Sequence, residues 1–359
     1  MFINSINSRH QYFYCNFLLL KLVILEYKKS LISYMQHVTQ IILCIILNVQ
    51  SVYCQNSNTL IEIDSFGANP GNLKMYVHNQ VVQQTIKVPL VIVLHGCGQN
   101  AKNAAALSGW NKLADSNHFV VVYPQQKFLN NPNLCFNWFK SNDIEKGKGE
   151  DESIYQMIVF AKQHYNIDTT NIFITGFSAG AAMGVVMAAT HPELFKGAAI
   201  FAGGAYKIAT NPINGLKAML GKINLPKEKL INNMVEQNIN YKGQYPTLII
   251  YQGVQDAIVN NKNAQVLINQ WTGINNTDTI PDKMEYAFMG VADITRSEYT
   301  NSLGKTIVIF YQVNNLGHQL MVMPGQKENE GGQTGLFSVN KGFHSTYQTA
   351  KEFGIINKK

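Results

Sequence analysis

The segment Thr169-Thr170-Asn171-Ile172-Phe173-Ile174-Thr175-Gly176-Phe177-Ser178-Ala179-Gly180-Ala181-Ala182-Met183-Gly184 constrains this chain more than any other. Ile172 to Ile174 is a short apolar run that reads as a buried strand. The small, apolar run from Ala179 to Ala188 reads as a helix packed closely on a sheet. Between them stands Gly176-Phe177-Ser178-Ala179-Gly180. In a strand–turn–helix, a serine at this position occupies a sharp turn with its hydroxyl above the sheet, and flanking glycines bring no side chain to clash there. Ser178 is the candidate nucleophile.

A turn of this kind needs a sheet around it, and the chain supplies one. Apolar strands are predicted at Lys74–His78, Val88–Leu94, Phe119–Pro124 (stopped by the proline), Gly197–Ala202, Thr247–Tyr251 and Thr306–Tyr311. Helical spacing with acidic residues in the first turn predicts a helix over Glu150 to His164. Asn130 to Gly149 reads mostly as loop, and Ser345-Thr346-Tyr347-Gln348 as the capping box of a last helix. Continuous apolar strands separated by helices predict an α/β fold, a mostly parallel sheet covered on both faces. The segment from Ile208 to Tyr245 has helical pieces and no strand, and reads as a small cap-type insertion. With 46% of 359 residues hydrophobic and 14% charged, one large core is within reach.

A serine hydroxyl needs an adjacent base, and the base needs an orienting acid. In α/β-hydrolases these follow the nucleophile in the order acid, then histidine, each at the C-terminal end of a strand. Two strands after Ser178, the run from Thr247 ends in Val254-Gln255-Asp256, which puts Asp256 in the acid's place. The alternative for Asp256 is a cap for a helix near Asn260. Asp282 and Asp293 stand in reserve. His78, His118 and His164 precede Ser178, and His191 suits the end of the nucleophile helix. His344 suits a capping role. His318, after a strong strand and the loop Asn314-Asn315-Leu316-Gly317, is the candidate base. Acyl transfer also needs donors for the developing oxyanion. One is the backbone N–H of Ala179, and the loop Leu94-His95-Gly96-Cys97-Gly98 offers the N–H of Cys97 as the other.

The front of the chain reads as a targeting segment. Ile41-Ile42-Leu43-Cys44-Ile45-Ile46-Leu47 is too short to span a bilayer and fits the core of a signal peptide. Lys28 and Lys29 can supply its positive flank, and a cleavage site falls near Val52-Tyr53-Cys54. Met35 is an alternative start, and residues 11–25 form a second apolar block. The domains are thus a presequence over 1–54 and a single catalytic domain over 55–359, with the insertion at about 208–245. The expected location is extracellular or periplasmic, without stable membrane association once the presequence is removed. The net charge of +7 includes +3 from residues 1–54, and the remaining lysines are scattered. No basic stripe with interleaved aromatics marks a nucleic-acid surface. Cys97 and Cys135 remain as an even pair in the mature chain, and the residues alone leave open a bridge or two free buried thiols. No His/Cys/Asp cluster has metal-ligand spacing, and the chemistry calls for no cofactor.

Five stretches carry a resemblance to a known family: Gly71-Asn72-Leu73-Lys74-Met75, Leu94-His95-Gly96-Cys97-Gly98-Gln99, Ser108 to Asp115, Asn133-Leu134-Cys135-Phe136-Asn137-Trp138-Phe139 and Gly176 to Gly180. Gln270-Trp271-Thr272, Gly317-His318 and Ser345-Thr346-Tyr347 add to it. From about Gly71 to Gly354 the chain resembles esterases of the poly(3-hydroxybutyrate) depolymerase family. The resemblance implies an exported α/β-hydrolase with Ser178, Asp256 and His318 as catalytic residues, and no cofactor. It also implies that Cys97 lines the oxyanion hole and is disulfide-bonded to Cys135. The implied partner is an ester: a polyhydroxyalkanoate-type oligomer or polyester, or, as in relatives of that family, a feruloyl or acetyl ester on polysaccharide. Gln319 to Pro324 departs from the family's pattern after the histidine. Trp138 and Phe139 are candidates for an apolar subsite, with a purely packing role as the alternative. Two further readings are a serine peptidase of the same fold and a non-catalytic binding protein.

Overall fold

The computed structural model describes residues 60–79 and 86–356. The predicted presequence, with Cys15, Cys44 and Cys54, lies outside them. Strands β1 (Ile61–Ile63), β2 (Lys74–His78), β3 (Val88–Leu94), β4 (Val120–Gln125), β5 (Ile167–Phe177), β6 (Gly197–Phe201), β7 (Thr247–Gly253), β8 (Lys283–Glu285), β9 (Ile294–Thr300) and β10 (Thr306–Val313) form one sheet. Its order is β1-β2-β4-β3-β5-β6-β7-β10-β9-β8. The six strands from β4 across to β10 run parallel, and the outer strands on both sides join antiparallel. Pro124 does not stop β4, contrary to the sequence reading. Pairing with β3 ends at Val122, so the N–H that proline lacks is not needed on that side.

Side chains alternate across this sheet into two cores. Leu90, Ile92 and Leu94 of β3 face helices α4 (Gly149–His164), α5 (Ala179–Thr190) and α8 (Lys262–Ile274), whose Met157, Val186 and Trp271 share their cluster. Val91 and Val93 face the other way, toward α1 (Ala101–Ser108), α2 (Trp110–Asn117) and α9 (Ser345–Phe353). A strand buried on both sides must be apolar throughout, which is why these strands read as continuous runs. A short helix α3 (Ser141–Ile144) interrupts the long loop before α4. The segment between β6 and β7 holds α6 (Pro212–Met219) and α7 (Lys227–Val235). A separate two-stranded ladder, β11 (Leu320–Val322) with β12 (Ser338–Asn340), follows the His318 loop.

The capping box expected at Ser345 is not formed. Helix α9 is capped at His344 with no side-chain cap bond. Ser345 is buried and donates its hydroxyl to Met321 O instead, while Gln348 donates to Tyr311 Oη and Glu352. Tertiary partners outbid the local motif, because buried polar groups must be satisfied wherever a partner lies.

Candidate active site

β5 runs straight into the turn that holds Ser178. Its backbone sits at φ 57°, ψ −121°, a conformation costly for a non-glycine residue and found where a fold over-determines it. Two neighbours make the turn possible. A Cβ on Gly176 would lie 2.3 Å from Gly180 O, and one on Gly180 would lie 2.4 Å from both Leu94 O and His95 O. Both glycines of the motif are thus dictated by backbone closeness. Ser178 N–H donates to Phe201 O, tying the turn to the end of β6. The hydroxyl is left half-buried at the C-terminal edge of the sheet.

Two other strand ends deliver its partners. His318 Nε2 lies 2.9 Å from Ser178 Oγ, and His318 Nδ1 lies 2.7 Å from Asp256 Oδ2. Asp256 follows β7 and does not cap α8, whose cap position is Asn261. Its Oδ1 accepts from the amides of Ile258 and Val259, and Oδ2 also accepts from Gln252 Nε2. These donors fix the carboxylate, so that Oδ2 is aimed at the ring. The loops bearing the two residues are laced together, with Val254 N–H on Val313 O and Gln255 N–H on Leu316 O. Phe177 packs on the imidazole at 4.7 Å, and Phe337 meets it edge-on at 6.4 Å. The reserve acids are used elsewhere: Asp282 accepts from Thr300, and Asp293 from Asn315 and Lys341.

The His95–Gln99 loop sits under the site and is held from within. His95 is fully buried, and burial pushes it down to about 4. The neutral ring accepts Gln126 N–H at Nε2 and so donates from Nδ1 to Gly96 O. Gly96 N–H and Gly98 N–H are taken by Gln99 Oε1 and Asn133 O. Among the described residues the amides of Cys97 and Ala179 have no hydrogen-bond partner. Both residues line a pocket of about 380 Å³, open to solvent, that also contains Ser178. Cys97 is disulfide-bonded to Cys135.

Trp138 lines the same pocket and is 9% exposed. Phe139 does not reach it; it packs edge-on against Trp138 at 5.4 Å and against Gly215 of the insertion. A buried acid holds this loop. Glu150 accepts from Asn137 N, Asn137 Nδ2 and Gln126 Nε2, and burial still pushes its carboxyl up to about 8. The sequence reading missed Glu150, along with the pocket's walls at Ala202-Gly203-Gly204, Ile208, Met219, Val259 and Asn263. The Gly-Gly pair directly after an apolar strand was the available signal.

Residues 75–281 match the family model described as esterase PHB depolymerase. The chain is also 36% identical, over 83% of its length, to poly(3-hydroxyalkanoate) depolymerase C of Paucimonas lemoignei, of which it covers 70%. The chain belongs to the esterase PHB depolymerase family. Within that family's wider kinship it is 30% identical over 61% of its length to a probable acetylxylan esterase A of Aspergillus fumigatus, and spans 59% of that protein. Among solved structures, the acetyl xylan esterase from Aspergillus awamori superposes with a TM-score of 0.69 at 22% identity, over 83% of this chain and all of that one. That likeness is one of fold, and the α/β-hydrolase architecture of this esterase is the one its strands predict.

Proposed function

We propose that this esterase cleaves carboxylic esters through an acyl-enzyme on Ser178. The observation that carries the reading is the continuous contact Ser178–His318–Asp256, at 2.9 and 2.7 Å, beside two unengaged amides. Ser178 Oγ attacks the ester carbonyl while His318 Nε2 takes its proton. Asp256 keeps the other ring proton at Nδ1 and stabilises the imidazolium that forms. The amides of Cys97 and Ala179 receive the oxyanion. His318 then protonates the departing alcohol, and a water activated by the same nitrogen releases the acid.

The substrate we favour is a polyhydroxyalkanoate-type ester, oligomeric or polymeric, because the relative named a depolymerase has the higher identity and coverage of the two compared. A second reading, an acetyl ester on polysaccharide, is supported by the acetylxylan esterase relative. The catalytic domain is proposed to span 55–359 behind an exported presequence. The Cys97–Cys135 bridge suits an oxidising compartment. A panel of p-nitrophenyl short-chain esters, hydroxybutyrate oligomers, acetylated xylan, methyl ferulate and a matched amide tests the reading. Hydrolysis of the oligomers above the polysaccharide esters is the expected result. A fluorophosphonate probe should label Ser178, and a protein that neither reacts with it nor hydrolyses any ester overturns the proposal.

A further inference from the structure

Among the described residues the pocket wall has, apart from Ser178, one further side chain with an oxygen, Asn263. It stands in the first turn of α8 and is 4% exposed. Its Nδ2 donates to Met219 O at 3.2 Å and to Asn260 O at 3.0 Å. Both partners are carbonyls, which only accept, so the amide cannot be turned round and Oδ1 must point away from them. Among the described residues no donor reaches Oδ1. What it faces is Gly204: a Cβ built there would lie 3.7 Å from Oδ1, and apart from Gly204 and its two chain neighbours no other heavy atom of the described residues comes within 4 Å. Gly204 lines the same pocket, as do the apolar Ala182, Ala202 and Ile208. Oδ1 is therefore a free acceptor on the wall of the Ser178 pocket, open to a donor that a bound molecule supplies.

We propose that Asn263 Oδ1 is a specificity contact, accepting a hydrogen bond from an alcoholic hydroxyl of the substrate beside the scissile ester. The proposal rests on the reading of Ser178 as nucleophile. A neutral amide oxygen repels a carboxylate and gives no charge compensation to a buried ammonium, which leaves a hydroxyl as the fitting donor. That hydroxyl can come from the 3-hydroxyacyl unit at the hydroxyl end of an oligomer, where it is not esterified, or from a sugar carbon next to an acetyl ester. Gly204 is what keeps the acceptor reachable from the pocket.

Two substrate pairs separate the sources: p-nitrophenyl 3-hydroxybutyrate against p-nitrophenyl butyrate, and methyl xyloside 2-acetate against its 3-deoxy counterpart. The protein should favour the hydroxylated member of one pair by about tenfold in kcat/KM, the worth of a single well-formed hydrogen bond. Asn263→Leu removes the acceptor. Gly204→Ala covers it with a methyl group, leaves Asn263 and its two anchors in place, and sits at a backbone conformation outside the left-handed region. In each variant the ratio should fall toward one, and a ratio cancels any general loss of activity. Gly204→Ala decides the matter if Asn263→Leu does not fold. Absence of a preference in both pairs, in protein whose Ser178 takes the fluorophosphonate and which hydrolyses the butyrate ester, overturns the contact alone. So does a preference that survives in either folded variant. Protein that neither takes the probe nor hydrolyses the butyrate overturns the nucleophile reading and the contact together.

Discussion

Asp256–His318 and Asp151–His191 are both aspartate–histidine pairs with buried carboxylates, at 2.7 and 3.0 Å, and both have a hydroxyl close by. The hydroxyls stand on opposite sides of the relay. Ser178 lies on the ring nitrogen that Asp256 does not touch. Thr190 instead donates to Asp151 itself, Oγ1 to Oδ1 at 2.5 Å, and never meets the ring. The free nitrogen of His191, Nδ1, stands 3.6 Å from Glu193, and Tyr155 is stacked on the ring at 4.8 Å. The second pair clamps the start of α4 to the end of α5. A buried acid on a histidine is therefore not what makes a site. The strained turn that lifts a hydroxyl to the far nitrogen, next to an open pocket and unengaged amides, is what differs.

Substitution of each hydroxyl tests that contrast most severely. Ser178→Ala should lower kcat on p-nitrophenyl butyrate by roughly 10⁵-fold or more, whereas Thr190→Val should cost about 1–3 kcal/mol of stability in urea unfolding with kcat held. A Ser178→Ala protein within tenfold of the parent would break the comparison. The acids come next. In Asp256→Asn, the side-chain oxygen can still serve the Ile258 and Val259 amides, which turns its NH₂ toward His318 and forces the wrong ring tautomer. A loss of about 10⁴ in kcat is expected with the fold intact. Asp151→Asn should instead lose roughly 3 kcal/mol of stability, because it leaves His191 beside a broken pair, and its kcat per folded molecule should not change.

The sequence made the first pair legible and the second not, for a physical reason. Gly176, Ser178 and Gly180 are fixed by backbone sterics, and Asp256 and His318 by the strand ends they follow, so order along the chain locates them. Asp151 was legible only as an acid in a helix's first turn, since its partners lie 39 and 40 residues away in a packing contact no local pattern encodes. The same limit hid β9. Its Ile294–Thr300 run carries a buried Arg296 that Glu285, Glu298 and Glu352 surround, so it reads as polar though it pairs with β10 along its whole length. Phe139 was misplaced for the converse reason: two adjacent aromatics point to different neighbours, and only Trp138 reaches the pocket.

The disulfide should divide the two regions more gently. Glu150 and Asp151 are adjacent and fully buried, yet Glu150 holds the Cys135–Trp138 loop while Asp151 holds His191. The bridge closes a loop of 38 residues, which on a chain-entropy account is worth about 4 kcal/mol, often less in practice. The paired change Cys97→Ser with Cys135→Ser should lower the unfolding free energy by up to that amount. It should also reduce kcat, because Cys97 lines the pocket with Ser178 and its amide is the proposed oxyanion donor. An equal loss of stability with kcat unmoved would separate the bridge from the site.

The smallest effect expected is in pH dependence, and it belongs to the second pair. Burial opposes a charge on His191, but the Asp151 and Glu193 carboxylates outweigh it and hold the ring above its ordinary value, with Lys146 acting weakly the other way. A histidine whose pKa is higher folded than unfolded contributes its stability in full below about 6.5, and loses it as pH rises through the folded value. Between those points the folded chain carries one extra proton, a slope of at most about −1.4 kcal/mol per pH unit. Glu150, raised to about 8, titrates with the same sign between its ordinary value and that one, so the raw slope mixes the two. The difference between the parent and His191→Asn removes Glu150 from the measurement. Urea unfolding from pH 6 to 8.5 should therefore give a parent that loses stability faster than the variant as pH rises. Parallel curves would mean that folding adds no proton to His191, and the placement of the hydroxyls would be left as what separates the two pairs.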